Sequence, residues 1–265
     1  MRVLQLSDPH LLSDPAGLCR GLPPLACLHR ALEAVHAQLR RRGRLPEQLL
    51  ISGDLCQDES WGGYRRLLEV LETSPLFSSA PPWLLAGNHD HALLLRAALG
   101  RRAVLAPAVL ERGGWQVLLL DSHLAGRVEG RLGTRQLAWI AAQLQRSSLP
   151  LLVAVHHPPL AIGDAAFDAI ALEDGPALLD LLRRCPRWRA LVFGHIHQHW
   201  SGQVRLEEGG RQVPLLGCPS TLCAFPAVQP CPLGGAGDPG ARLLELLPGG
   251  PIRQELLRWP GVQAS

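Results

Sequence analysis

The chain has 265 residues, 47% hydrophobic and 18% charged, which suits a folded globule and excludes a disordered chain or a disulfide-stapled mini-protein. All 26 basic residues are arginine and none is lysine, so lysine-dependent phosphate loops and Schiff-base chemistry are excluded. A formal charge of +3 offers no global basic footprint for nucleic acid, and seven cysteines without a CxxC pair fit reduced thiols in the cytoplasm.

Along the chain, short apolar runs alternate with segments of helical period, the pattern of βαβ units. The first strand, 3–7, directly follows Met1-Arg2, and no apolar stretch approaches about 18 residues, so neither a signal peptide nor a membrane span is expected. A helix over 25–42 follows, with Arg40, Arg41, Arg42 and Arg44 read as its solvated C-terminal end. Then come a strand at 48–52, a helix at 60–73, a strand at 83–86 and a helix at 92–99. Segments 104–110 and 115–121 flank Arg112-Gly113-Gly114 and predict a hairpin. Helices at 134–145 and 176–184 alternate with strands at 151–155 and 190–193. Strands at 202–206 and 211–216 join at Gly209-Gly210, and 242–247 with 252–259 reads as a closing hairpin. Two sheets fit this order better than one. Between them, 226–240 is rich in Pro and Gly, an irregular excursion that is disordered, a lid, or a contact for a second copy.

Five strands end in polar residues: Asp8-Pro9-His10, Gly53-Asp54, Gly87-Asn88-His89-Asp90, His156-His157-Pro158 and Gly194-His195-Ile196-His197. In an open α/β sheet such ends gather in one crevice. Carboxylate and amide oxygens with imidazoles and no thiolate suit Mn, Fe or Zn. Asp8, His10, Asp54, Asn88, His156, His195 and His197 are too many ligands for one catalytic ion, but Asp54 as a bridge would give each of two ions four. Gly53, Gly87 and Gly194 let the backbone turn to aim the residue that follows each.

In this order the motifs DxH, GD, GNHD, H and GHxH resemble the calcineurin-like metallophosphoesterases from Asp8 to His197. GNHD, HHPP, GHIHQ and Pro219-Ser220-Thr221 are similar to the bacterial class III 3′,5′-cyclic-AMP phosphodiesterase branch, and the glycerophosphodiesterases share much of the set. The resemblance implies an α/β fold: a four-layer αββα sandwich of two mixed sheets flanked by helices, one domain over 1–265, with a dinuclear metal site at the strand C-terminal ends. It implies that Asp8, His10, Asp54 and His197 hold one ion and Asp54, Asn88, His156 and His195 the other, iron or manganese, with zinc also accepted. His156 is preferred to His157 because the family ligand falls two residues before the proline. His89 would be the catalytic acid, and His89 and Asn88 would contact substrate. Pro9 stands where the family usually has a small polar residue, but its side chain is no ligand.

The implied activity is hydrolysis of 3′,5′-cyclic AMP to 5′-AMP by attack of a metal-bound hydroxide, with a small phosphodiester as sole partner, no nucleic acid or membrane, and homo-oligomerisation open. A glycerophosphodiesterase or broad phosphodiesterase on the same site is the alternative. A DNA exonuclease would want a larger basic groove, and a non-catalytic scaffold would have lost ligands. Of the remaining residues, His29 and His36 read as surface, His91 and His123 as pocket or loop, His157 as a partner orienting a ligand, and His199 as exposed. Asp168 reads as a helix cap. Trp61 and Tyr64 read as core, with adenine stacking the other option. Ser220, Thr221 and Phe225 divide evenly between substrate contact and ordinary packing.

Overall fold

A computed structural model describes residues 1–76, 80–235 and 237–262. One six-stranded sheet joins β1 (Arg2–Leu6), β2 (Gln48–Ile51), β3 (Trp83–Leu84) and β4 (Val104–Leu105) in parallel, extended beyond β1 by antiparallel β11 (Gly240–Leu246) and β12 (Ile252–Arg258). The second runs in the order β5 (Ala108–Arg112), β6 (Trp115–Leu119), β7 (Leu151–Ala154), β8 (Trp188–Phe193), β10 (Gln212–Gly217), β9 (Trp200–Arg205).

The apolar runs read as continuous because both faces of the central strands are covered. Leu49 and Ile51 pack under α1 (Pro24–Arg41), α2 (Trp61–Thr73) and α3 (Ala92–Leu99), while Leu50 between them points into the inter-sheet core with Trp83, Trp115 and Leu152. In β7, Leu151 and Val153 likewise face α4 (Gly133–Leu144) and α6 (Gly175–Arg183), while Leu152 and Ala154 face the first sheet. The result is the expected helix, sheet, sheet, helix layering.

Several expectations are corrected. Segment 104–110 is not one hairpin arm: Pro107, lacking an N–H, divides it, so 104–105 joins β3 in the first sheet and only β5 pairs with β6 in the second. The helical turn α5 (Ala165–Asp168) was not anticipated; its N-cap is Asp164, while Asp168 instead accepts the Ile162 and Gly163 amides. Arg42 and Arg44 do not simply end a solvated helix, since both meet Glu255 and Arg44 also meets Glu245 at 2.9 Å, tying α1 to the last hairpin. Trp61 is 49% exposed, while Tyr64 is core as predicted. Residue 236 of the excursion lies outside the described residues; its neighbours have no regular structure but are pinned to β9 through Gln229 and Ser201.

His199 is buried rather than exposed and accepts from Arg242 Nη2 at 2.9 Å. The fully buried Arg242 guanidinium also donates to Gly217 O, Trp200 O and Gln254 Oε1, so it bolts β11 of one sheet to the ends of β10 and β9 in the other. Burial lowers its pKa to about 10, which still leaves a cation at neutral pH. Arg242→Met keeps the bulk but strands these acceptors, and should cost at least about 3 kcal/mol in a urea titration. A midpoint shift of under about 0.5 kcal/mol would show that the bolt is dispensable.

Candidate metal centre

β1, β2, β3, β7 and β8 all end at one side of the two sheets, and their polar termini meet there. The crossing is close: a Cβ on Gly87 would sit 2.2 Å from Asp54 Oδ1, and one on Gly194 would sit 2.2 Å from Ser7 Oγ. Of the three predicted glycines only Gly53 needs unusual backbone freedom, with φ +107°; the other two are small because other chain segments press on them.

Two groups of donor atoms converge. In the first, His10 Nε2 lies 3.0 Å from His197 Nε2 and 3.6 Å from Asp54 Oδ2, and His197 Nε2 lies 3.6 Å from Asp8 Oδ1. In the second, Asn88 Oδ1 lies 3.0 Å from His195 Nδ1 and 3.3 Å from His156 Nε2, which is 3.5 Å from Asp54 Oδ1. Asp54 thus turns one oxygen to each group.

Backbone carbonyls fix the rings. His197 Nδ1–H donates to Cys223 O at 3.1 Å and His156 Nδ1–H to Ser52 O at 2.7 Å, so each Nε2 reaches the cluster as a bare lone pair. His157, His156 and His195 also bring nitrogens together, but His157 Nδ1 faces Ser122 Oγ at 2.8 Å and its Nε2 faces Val128 O at 3.0 Å, so both are engaged outside the cluster.

Burial disfavours the charged form of each of these groups. It raises Asp54 to about 6 and, with the charge of Asp54, holds Asp8 well above the carboxylate range. Burial lowers His10 to about 3 and His156 to about 4, and His195 and His197 well below the imidazole range. A neutral His10 can donate from Nε2 to His197 Nε2, but its own Nδ1 and Asp8 Oδ2 then stay buried without a partner, whereas a cation held among these donors takes up both the Nε2 lone pairs and the carboxylate charge. The donors fit divalent metal.

Among the described residues, seven other than glycine have φ in the left-handed region. Five are Asp8, His10, Asp54, His195 and His197, at 48–69°. The other two are Arg20 and Glu59. Strain of this kind marks functional sites and persists only where the surroundings impose it.

His89 borders this cluster. Its ring lies 5.3 Å from His10, its amide donates to Asp54 Oδ1 at 2.9 Å, and Gln57 Nε2 donates to its Nδ1 at 3.1 Å. It shares with Asn88 a cavity of 470 Å³ whose far walls carry Leu93, His123 and Val128. His91 and His123, read as pocket or loop, both line this cavity: His123 donates from Nδ1 to Gly87 O at 2.9 Å, and His91 also caps α3. Ser220 Oγ donates to Asp8 O at 2.8 Å and Thr221 N to Ser7 O, so both brace β1 from a buried position.

Sequence reasoning missed Gln57 and Asp90. The buried Asp90 carboxylate accepts from the Leu55, Cys56 and Gly87 amides and from Tyr64 Oη, locking the loop of Asp54 to that of Asn88. Its place in GNHD was a signal, but nothing in the spacing says it turns away from the cluster. Asp90→Ala leaves three amides without an acceptor and should destabilise the metal-free protein by about 3 kcal/mol or more in thermal or urea unfolding; an unchanged midpoint would contradict the lock.

Residues 1–199 match the family model described as calcineurin-like phosphoesterase. The chain belongs to the calcineurin-like phosphoesterase family. Over its whole length it is 45% identical to a probable cyclic nucleotide phosphodiesterase of Synechococcus sp. (strain WH7803), 98% of which is covered. It is also 34% identical to the 3′,5′-cyclic adenosine monophosphate phosphodiesterase CpdA of Pseudomonas aeruginosa (84% of this chain, 77% of that one) and 32% identical to CpdA of Escherichia coli (strain K12) (97% and 90%). Among solved structures, a dimetal phosphatase from Danio rerio superposes with a TM-score of 0.61 at 14% identity, covering 97% of this chain and 98% of that one, a likeness of fold. Among the described residues of this phosphoesterase, no helix is long and apolar enough to cross a membrane.

Proposed function

We propose that this phosphoesterase hydrolyses 3′,5′-cyclic AMP to 5′-AMP at a dinuclear centre. One observation carries the choice of substrate: the chain is alike, end to end, to proteins named for cyclic nucleotide hydrolysis. Asp8, His10, Asp54 and His197 would hold one cation, and Asp54, Asn88, His156 and His195 the second. The directions of the His156 and His157 ring nitrogens favour His156 as the ligand. Oxygen and imidazole donors suit iron or manganese, and zinc as well. When bound, two such ions supply an acidified water as nucleophile and absorb charge on the phosphoryl oxygens.

The chain's own residues do the rest. Asp54, with one oxygen toward each donor group, sets the spacing of the two sites. Asn88 lies between the cluster and the cavity, where it can contact the phosphodiester. Gln57 engages His89 Nδ1 and leaves Nε2 free; in the imidazolium form, which Gln57 meets by turning its amide oxygen to Nδ1–H, the Nε2 proton passes to the departing ribose O3′ and leaves neutral imidazole. The seven free thiols fit a reducing cytoplasm, and 226–240 offers a surface through which copies could associate.

The test is a parallel assay of manganese- or iron-loaded protein on cyclic AMP, cyclic GMP, 2′,3′-cyclic AMP, a glycerophosphodiester and bis(p-nitrophenyl) phosphate, with metal analysis of the same sample. Turnover of cyclic AMP to 5′-AMP with two ions per chain is expected. Inertness toward cyclic AMP alongside efficient cleavage of another diester would replace this reading with that activity.

A further inference from the structure

Arg20 lies beside the cluster and belongs to none of the motifs. It forms a two-residue turn with Gly21, closed by hydrogen bonds in both directions between Cys19 and Leu22, with φ of 51° and 76°. Such a turn favours Asn-Gly, because an ordinary side chain in the left-handed region costs about 1 kcal/mol. Arginine is thus a poor choice for the turn itself. Nor does the side chain serve a nearby acid: Arg42, Arg44, Arg102 and Arg184 each meet a glutamate, whereas among the described residues no carboxylate pairs with Arg20. Its guanidinium carbon instead lies 4.7 Å from the centre of the Phe225 ring, which lies 4.5 Å from that of His197. Stacked there, the cation holds its position without losing its N–H donors, and its field reaches Asp54, His10 and His197.

From this placement we infer that Arg20, held over Phe225, is a substrate-positioning residue that draws the phosphodiester anion onto the cluster. The inference rests on the hydrolase reading above. It assigns to a side chain the supporting charge that, in a chain without lysine, only arginine or protonated imidazole can give. It also explains why a strained turn carries a long cation: the same strain appears at five cluster residues, and at Glu59 on the adjoining cavity.

Arg20→Asn is the informative variant, because asparagine suits the turn and removes the charge. Its KM for cyclic AMP should rise about 10- to 100-fold, the worth of a charge-assisted contact, with kcat within about twofold. Cyclic GMP and bis(p-nitrophenyl) phosphate should show the same rise, since all three carry the phosphodiester charge. Calorimetric affinity for 5′-AMP should fall in parallel, bound metal should stay at the wild-type level, and Arg20→Lys should recover part of the loss. An unchanged KM and 5′-AMP affinity would overturn the inference. So would a rise confined to the purine nucleotides, which would make this a base contact, or a loss of metal, which would make it a support of the cluster. Failure of the wild-type enzyme to turn over cyclic AMP would instead count against the substrate reading, while the chromogenic diester and the 5′-AMP titration would still report on Arg20.

Discussion

Asp54→Ala is expected to cost both metal sites at once: bound metal should fall from two ions per chain to less than one, and kcat/KM for cyclic AMP by about a thousandfold or more. The reason lies in its two oxygens, Oδ2 3.6 Å from His10 Nε2 and Oδ1 3.5 Å from His156 Nε2. Among the described residues no other carboxylate faces both donor groups, since Asp8 joins only the first. Without Asp54, three donors remain on each side, and one buried negative charge that would balance four positive ones is gone. His156→Ala makes the control, because it should weaken the second site and leave the first occupied. Two ions still bound to Asp54→Ala would disprove the bridge.

His89→Ala should separate chemistry from metal binding. Its contact with Asp54 is made by the backbone amide, which alanine keeps, so the cluster should load normally. What is lost is the ring, hence proton donation to an alkoxide leaving group, worth about 10²- to 10⁴-fold in kcat. Nitrophenolate leaves without a proton, so turnover of bis(p-nitrophenyl) phosphate should fall far less than that of cyclic AMP. An equal loss on both substrates would mean that His89 positions rather than protonates. A wild-type rate on cyclic AMP would remove it from the mechanism altogether.

The site was legible in the sequence because its chemistry sits at strand ends. Apolar runs such as 48–52 and 151–155 announce buried strands, and the residue after each run is carried by topology to one crevice. The elements that escaped are those decided by tertiary contact. Nothing local says that the segment around Pro107 crosses from one sheet to the other, or that Asp168 turns back to two loop amides while Asp164 takes the cap. Orientation was likewise hidden: His156 and His157 are adjacent and identical, and only the partners Ser52 O, Ser122 Oγ and Val128 O, distant in sequence, tell them apart. Gln57 escaped because a neutral amide beside GD carries no ligand signal, and its importance lies in the ring it meets 32 residues away.

The left-handed backbone at Asp8, His10, Asp54, His195 and His197 has an evolutionary side. Glycine at any of these positions would release about 1 kcal/mol of conformational strain while deleting a donor. Selection for thermal robustness alone would therefore erode the centre one residue at a time and leave a sturdier, inert scaffold. At these five positions folding stability and metal binding pull in opposite directions, so a redesign scored on stability alone would lose the centre first.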